Sequence, residues 1–203
     1  MSDSEKRGRG RPKSLNRDQV IATAMEHYWV DGPANVSINE ICKRAGVSKP
    51  GLYREFGGED GLHQAVLENY LDKGLKKLYD VLAVDRPFKD GVEALINLFL
   101  ESRSVFTSPR GCLLRDMRSC EDHLGPNTCE TIERLHSDSM AQYAVWIERA
   151  KSRNEIQNIW TDIAVEYVDL QFGNAMLLLK RNEPDDMIVQ VMRLAFSVFT
   201  PKL

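Results

Sequence analysis

The sequence predicts an all-α fold of about nine helices. Apolar residues recur at spacings of three and four along most of the chain, and no convincing strand alternation interrupts them. Short clusters of Pro, Gly and Asn separate these periodic segments, as is typical of helix ends. The chain has 203 residues, 42% of them hydrophobic, which suffices for one large domain or two small ones.

The predicted helices follow one another with short connections. The first begins at Arg17 and ends before Asp31-Gly32-Pro33, two short helices lie within residues 37–56, and a long one runs from Glu59 to about Leu82. Later helices are expected over Phe88–Phe106, Leu113–Glu121, Thr128–Ser152, Ile159–Lys180 and Asp185–Phe199. No run approaches the ~20 apolar residues of a membrane span. The charged N-terminus also lacks the apolar stretch of a secretory signal, so we expect a cytoplasmic protein without membrane contact.

Charge is distributed unevenly along the chain. Residues 1–56 carry ten Lys or Arg and seven Asp or Glu, whereas residues 57–203 carry 17 and 23. Residues 1–16 are rich in Arg, Gly and Ser and are predicted to be a flexible basic arm. A basic end on an acidic body suits a polyanion such as nucleic acid, although such an arm can also serve only solubility.

A sharp corner is predicted between the two short helices. Ser37 and Glu40 form a capping box, in which the Ser37 hydroxyl accepts from the Glu40 amide and the Glu40 carboxylate reaches back to the Ser37 amide. Gly46 suits the left-handed conformation that ends a helix. Val47 is then expected to fill the angle between the helices, and Ser48 to cap the second one. The pattern is that of a helix-turn-helix.

The outward face of the second short helix suits a DNA groove. It presents Lys49, Gly51, Tyr53 and Arg54, which are small, basic or hydroxyl-bearing. Such side chains can approach phosphates and base edges in a major groove. Corners between short helices also occur in many all-α domains, but the capping box, the turn glycine and the basic face together favour DNA binding.

These residues resemble a known family. The segment AGVSKPGLYREF is similar to the AGVSKGTLYHYF-type signature of TetR/AcrR bacterial transcriptional regulators, and the resemblance is specific over about residues 20–67. It implies an N-terminal three-helix DNA-binding head, a fourth helix leading out of it, and a C-terminal helical bundle for ligand binding and dimerisation. The implied division is an arm at 1–16, a helix-turn-helix domain at 17–60 with its motif at about 37–56, and an effector-binding and dimerisation domain at 61–203.

The resemblance also implies which residues contact DNA. Lys49 and Tyr53 are expected to hold phosphates, and Arg54 to read guanine through its guanidinium fork. The contacts carried over by motif position are Ser37, Ser48, Lys49, Gly51, Tyr53 and Arg54.

Two departures from the family pattern make the N-terminal arm more important for the expected DNA binding. Glu59 stands where the family often has a phosphate-gripping lysine, so the backbone amides of residues 57–59 are expected to substitute in part. Gly51 lacks the hydroxyl often found at its position. Arg9 and Arg11, on an extended backbone, can enter a narrow A·T-rich minor groove. Nonspecific attraction to phosphates is the alternative for these two arginines.

The body is expected to hold a dimer face and an effector pocket. The last two helices carry wide apolar faces, which favours a homodimer through them, with ordinary core as the alternative. The pocket is harder to place, because aromatic and methionine side chains at helical spacing also build cores. The candidates are Phe99, Arg103, Phe106, Cys112, Met117, Tyr143, Trp146, Trp160, Asp169 and Phe172.

The cysteines have two interpretations. Cys112 lies near a predicted helix N-terminus beside Arg110 and Arg115, where its thiol pKa can be lowered, as a redox or electrophile sensor requires. The alternative is a small buried hydrophobe. Cys120, His123 and Cys129 lack the tight spacing of a metal site, so no metal or cofactor is expected.

The function expected from these features is transcriptional regulation. The main hypothesis is a homodimeric repressor that a small-molecule effector releases from a palindromic operator in double-stranded DNA. The alternatives are a DNA-bound platform that recruits a protein partner and a thiol-based sensor using Cys112. No nucleophile elbow, phosphate-binding loop, zinc-protease or dinucleotide motif is present, so an enzyme is not expected.

Overall fold

Helices make up most of the structure. The computed structural model describes residues 15–105 and 111–200, without the side chains of residues 103–105. Within these residues there are nine α-helices and no strand, so the predicted fold class is confirmed. None of the described helices is long and apolar enough to cross a membrane.

The helices follow the predicted order. The first three are α1 (Arg17–Asp31), α2 (Ile38–Ala45) and α3 (Lys49–Phe56). Helix α4 is one continuous rod in three segments, Glu59–Tyr70, a π-helical turn at Leu71–Leu75, and Lys76–Ala83. The others are α5 (Phe88–Val105), α6 (Leu113–Arg118), α7 (Pro126–Ser152), α8 (Thr161–Lys180) and α9 (Asp185–Ser197).

Two local features differ from the prediction. Helix α6 ends at Arg118 rather than Glu121, and the Ser119 hydroxyl donates to the Asp116 carbonyl at 2.7 Å, a local bond that competes with helix continuation. Helix α4 contains the π-turn at Gly74. A Cβ at Gly74 would lie 3.1 Å from the Tyr70 ring, so glycine lets this ring pack against the turn. Such turns often occur at functional sites.

The apolar core forms two clusters. In the first cluster, α1, α2 and α3 pack with the first half of α4, with α6 and with the start of α7. The second joins the end of α4 to α5, the C-terminal half of α7, α8 and α9. Helices α4 and α7 take part in both clusters, so they connect the two ends of the molecule. The domain limits at residues 16, 60 and 203 stay a prediction.

Candidate nucleic-acid interface and ligand cavity

The corner between α2 and α3 is built by local bonds. The Ser37 hydroxyl accepts from the Glu40 amide at 3.3 Å. Gly46 adopts φ 66° and ψ 32°, and the Val47 amide returns to the Cys42 carbonyl at 2.9 Å. One half of the predicted capping box is wrong: the Glu40 carboxylate accepts from Arg44 at 2.6 Å instead of reaching back to Ser37. An i, i+4 ion pair within α2 has replaced that bond.

Helix α3 follows the turn after α2, and one of its faces is buried. The Ser48 hydroxyl accepts from the Gly51 amide at 3.2 Å and caps the helix. Leu52 and Phe56 are buried in the first core cluster, together with the expected apolar residues of α1 and α2, and Val47 packs against that cluster. The predicted inward set is therefore confirmed. Its burial fixes which residues of α3 face outward.

The outward face of α3 carries free hydrogen-bonding groups. Ser37, Ser48, Lys49, Tyr53 and Arg54 are exposed, and Gly51 is half-buried. The Lys49 ammonium lies 5.6 Å from the centre of the Tyr53 ring, a cation–π contact that orients both side chains. The two serine oxygens accept the capping bonds, so their hydroxyl hydrogens stay available to donate to a phosphate.

On α3, the basic Arg54 is unpaired among the described residues, whereas the acidic Glu55 is paired. Arg54 makes no ion pair with any residue that the structure describes, and its guanidinium is therefore available to a ligand. Glu55, the acidic residue of α3, lies 3.6 Å from the Arg17 guanidinium. Arg17 also lies 5.4 Å from the centre of the Phe56 ring. This pairing compensates the one negative charge on the helix, a role for Arg17 that the sequence pattern did not reveal.

A tight joint connects α3 to α4. Gly57 ends α3 at φ 77° and Gly58 has φ 138°, both in a region that favours glycine. A Cβ on Gly61 would lie 1.8 Å from the Phe56 carbonyl oxygen, so the start of α4 packs directly on the end of α3. Glu59 is exposed at this joint. Arg9 and Arg11 of the arm lie outside the described residues.

A cavity of about 430 Å³ lies where α1, α4 and α5 meet. Trp29 of α1, Tyr70 and Leu75 of α4, and Phe99 of α5 supply apolar walls, and Asp72, Lys73 and Glu101 supply charged groups. The Trp29 indole donates to the Gly111 carbonyl at 2.8 Å. The cavity is therefore lined partly by α1, which belongs to the predicted DNA-binding head. Sequence reasoning placed the pocket in the body alone and missed Trp29, Tyr70 and Leu75.

The predicted pocket residues do not form one site. Phe99 lines the cavity, and its ring lies 5.4 Å from Phe172, which in turn lies 5.2 Å from Tyr143. Trp146 stacks on Phe88 in the second core cluster, whereas Met117 is buried in the first. Trp160 is 79% exposed. Arg103 and Phe106 lie outside the residues whose side chains are described.

Asp169, another predicted pocket residue, forms an ion pair. The Arg115 guanidinium donates to the Asp169 carboxylate at 2.7 Å. A Cβ on Gly173 would lie 2.8 Å from that guanidinium, so glycine makes room for it on α8. The pair connects α6 to α8.

The expectation of a lowered pKa at Cys112 is wrong. Burial raises the pKa of this thiol, and the hydrogen bond from Tyr70 at 3.5 Å and the nearby Arg115 do not offset it. Cys112 therefore lacks the thiolate character of a reactive cysteine. All four cysteines are free thiols. Among the described residues, no three His, Cys, Asp or Glu side chains are grouped so as to hold a metal ion.

The chain is similar to known proteins over its first helices and, in one relative, over most of its length. Residues 20–66 match the family model described as "Bacterial regulatory proteins, tetR family". The chain is 29% identical over 157 residues to the HTH-type transcriptional repressor ComR of Escherichia coli (strain K12), covering 74% of this chain and 72% of ComR. It is 30% identical over 112 residues to the repressor BdcR of the same organism, covering 55% of each.

Solved structures show the same fold. The TetR family transcriptional regulator CifR, as a cysteine mutant complexed with 26bp double-strand operator DNA, has a TM-score of 0.74 at 21% identity, covering 93% of this chain and 100% of that one. The all-α fold and the capped, basic helix-turn-helix face agree with these similarities to DNA-binding transcriptional regulators. The match to the tetR-family model thus covers the helix-turn-helix segment, and the likeness to these structures shows a shared fold over most of the chain.

Proposed function

We propose that the protein is a homodimeric repressor that binds a palindromic operator and is released by a small-molecule effector. The observation that carries the proposal is the corner between α2 and α3. It holds Lys49, Tyr53 and Arg54 outward on a short helix whose other face is buried. A helix of this kind fits the major groove, with Arg54 on base edges and Lys49 and Tyr53 on phosphates.

Exposed apolar residues on the last two helices support the dimer. On α8 they recur every seven residues, which places them on one face two turns apart. On α9 they form a second stripe, in which Leu194 is 75% exposed. The residues are Ile163, Leu170, Leu177, Met187, Val191, Leu194 and Val198. Exposed apolar stripes of this kind are a liability for a monomer, and pairing with a second copy would bury them.

The cavity beside the π-turn supports an effector of moderate size. Its walls are mostly apolar, and its charged groups are few, as is typical of a small-molecule site. Because Met25 and Trp29 of α1 line it together with residues of α4 and α5, a bound molecule would contact the head and the body at once. An effector that binds one arrangement of these helices more tightly shifts the protein toward that arrangement.

A selection experiment tests the DNA-binding part of the proposal. Purified protein is incubated with random double-stranded oligonucleotides at low salt, and the bound fraction is sequenced. We expect a palindrome whose half-sites lie about one helical turn, 34–36 Å, or slightly more apart. Recovery of no preferred sequence, together with a monomeric mass in solution, would contradict the proposal.

A protein-recruiting platform is the second candidate. A body without a cavity would favour it, whereas the described residues line a partly open cavity of about 430 Å³. The thiol sensor has less support, since burial raises the Cys112 pKa.

A further inference from the structure

The N-terminus of α7 is capped by a side chain from another helix. The first amides of a helix have no partner within it, and Gly125, which precedes α7, has no side chain to offer. The Asp60 carboxylate of α4 fills this place. It accepts from the Asn127 amide at 3.0 Å, from the Thr128 amide at 2.9 Å and from the Thr128 hydroxyl at 2.6 Å.

The approach of Asp60 depends on Gly125. A Cβ on Gly125 would lie 2.3 Å from the Asp60 carboxyl carbon, so only glycine leaves room for the carboxylate. Burial by itself raises the pKa of Asp60, but the hydrogen bonds from Thr128 and Asn127 outweigh this and lower it. The group is therefore an ionised acceptor on the positive end of α7, where it also interacts favourably with the helix dipole.

At the other end of the two helices, a side chain of α7 caps the C-terminus of α4. Arg149, in the last turn of α7, donates through its guanidinium to the Leu82 carbonyl and, at 3.2 Å, to the Ala83 carbonyl. These carbonyls belong to the last turn of α4, which has no further intrahelical partners for them. Each helix thus caps an end of the other, with an anion on an N-terminus and a cation on a C-terminus.

Polar contacts between the ends hold the register. Glu68 pairs with Arg134 at 2.5 Å, and the Tyr79 and Ser139 hydroxyls are 2.7 Å apart. The contacts follow in the same order along both helices, so α4 and α7 run parallel, and the two ties lie about 30 Å apart at 1.5 Å per residue. Sliding or tilting of α4 against α7 would break at least one tie.

We propose that α4 and α7 act as one rigid unit, and that Asp60 and Arg149 are positioning residues that set the orientation of the DNA-reading helix relative to the body. The joint between Phe56 and Gly61 passes that orientation to α3, because the start of α4 packs directly on the end of α3. The inference rests on the proposed function, since in a dimer this orientation sets the distance between the two recognition helices. It means that α4 does not pivot by itself: it moves together with α7.

The test is the tolerance of half-site spacing. The operator recovered by selection is compared with two versions whose half-sites lie one base pair closer or farther apart, using fluorescence anisotropy. Wild type, Asp60→Asn, Asp60→Ala and Arg149→Gln are measured, and Asp80→Ala serves as the control, because Asp80 is an exposed acid on the same helix. Thermal unfolding of each protein verifies that it is folded.

We expect the wild type and Asp80→Ala to bind the selected half-site spacing at least about tenfold more tightly than the altered spacings. For the variants of Asp60 and Arg149 we expect a preference of less than about threefold, because several orientations of the head are then populated. Operator affinity should fall on the order of tenfold in Asp60→Ala. Loss of an acid near the DNA-binding corner would by its charge alone raise affinity for any duplex, so a fall cannot come from charge. The double variant Asp60→Ala/Arg149→Gln should add little, since both ties act on one unit.

Arg149→Gln separates positioning from direct contact. Arg149 lies at the far end of the helix pair, so an effect on spacing there must travel through α4 and α7. An undiminished spacing preference in folded Asp60→Ala and Arg149→Gln overturns the inference while leaving the proposed function intact. A wild type that selects no duplex removes the proposed function itself. The two failures are therefore distinguishable.

Discussion

His63 should make the stability of the protein fall in mild acid. Its side chain is 4% exposed on α4, and its ring centre lies 4.7 Å from that of Tyr28 on α1. Among the described residues, neither the His63 Nε2 nor the Tyr28 hydroxyl has a hydrogen-bond partner. Burial lowers the pKa of His63 from 6.5 to about 4, and the neighbouring Asp60 only partly opposes this. The imidazole is therefore neutral in the folded protein.

The sign and size of the effect follow from that shift. Between pH 6.5 and pH 4 the unfolded chain binds a proton at His63 that the folded protein does not, so the free energy of unfolding decreases as the pH falls. At about 1.4 kcal/mol per pKa unit, the full loss is about 3 kcal/mol, and roughly 2 kcal/mol of it occurs between pH 7 and pH 5. The Asp60 carboxylate, whose pKa lies below its ordinary 3.8, contributes only at lower pH.

The measurement is urea unfolding at pH 7 and at pH 5 for wild type and His63→Leu, at one fixed protein concentration because a dimer's stability depends on it. The variant should lose about 2 kcal/mol less than wild type between the two values. His123→Leu, at an exposed position, is the matched control and should behave as wild type. An equal pH dependence in His63→Leu and wild type would refute the reasoning, because the proton uptake would then lie elsewhere.

Three further predictions concern DNA binding and assembly. Arg54→Ala should relax base preference, whereas Tyr53→Phe should weaken binding evenly across sequences; selection on each variant checks this, and the reverse pattern would mean that the two roles are exchanged. Leu194→Glu places a charge on the exposed apolar stripe and should shift the protein to monomers in light scattering, while a dimer of unchanged strength would place the interface elsewhere. Deleting residues 1–13 should weaken operator binding and flatten the dependence of log K on log salt; an unchanged slope would exclude a role for Arg9 and Arg11.

The outward basic face of α3 could be predicted from the sequence because its determinants are local. Ser37, Gly46 and Ser48 act on backbone groups within three or four residues, and helical periodicity orients the apolar side chains. The error at Glu40 within this corner arose because Arg44 competes for the same carboxylate at the same short range. Two acceptable local partners cannot be ranked without their geometry.

The cavity and the contacts between distant helices could not be predicted in this way. Trp29 and Phe99 line one cavity, and Asp60 caps a helix that begins at Pro126, although no spacing rule connects such distant positions. Cys112 shows the same limit: its neighbours in the sequence favour a low pKa, but burial raises it. The helices, their caps and the outward basic face depend on nearest neighbours, so the amino-acid sequence alone predicts them. Which helices share a cavity, which helix ends are joined and which groups lose water depend on packing between residues far apart in the chain, so these features emerge only from the folded protein.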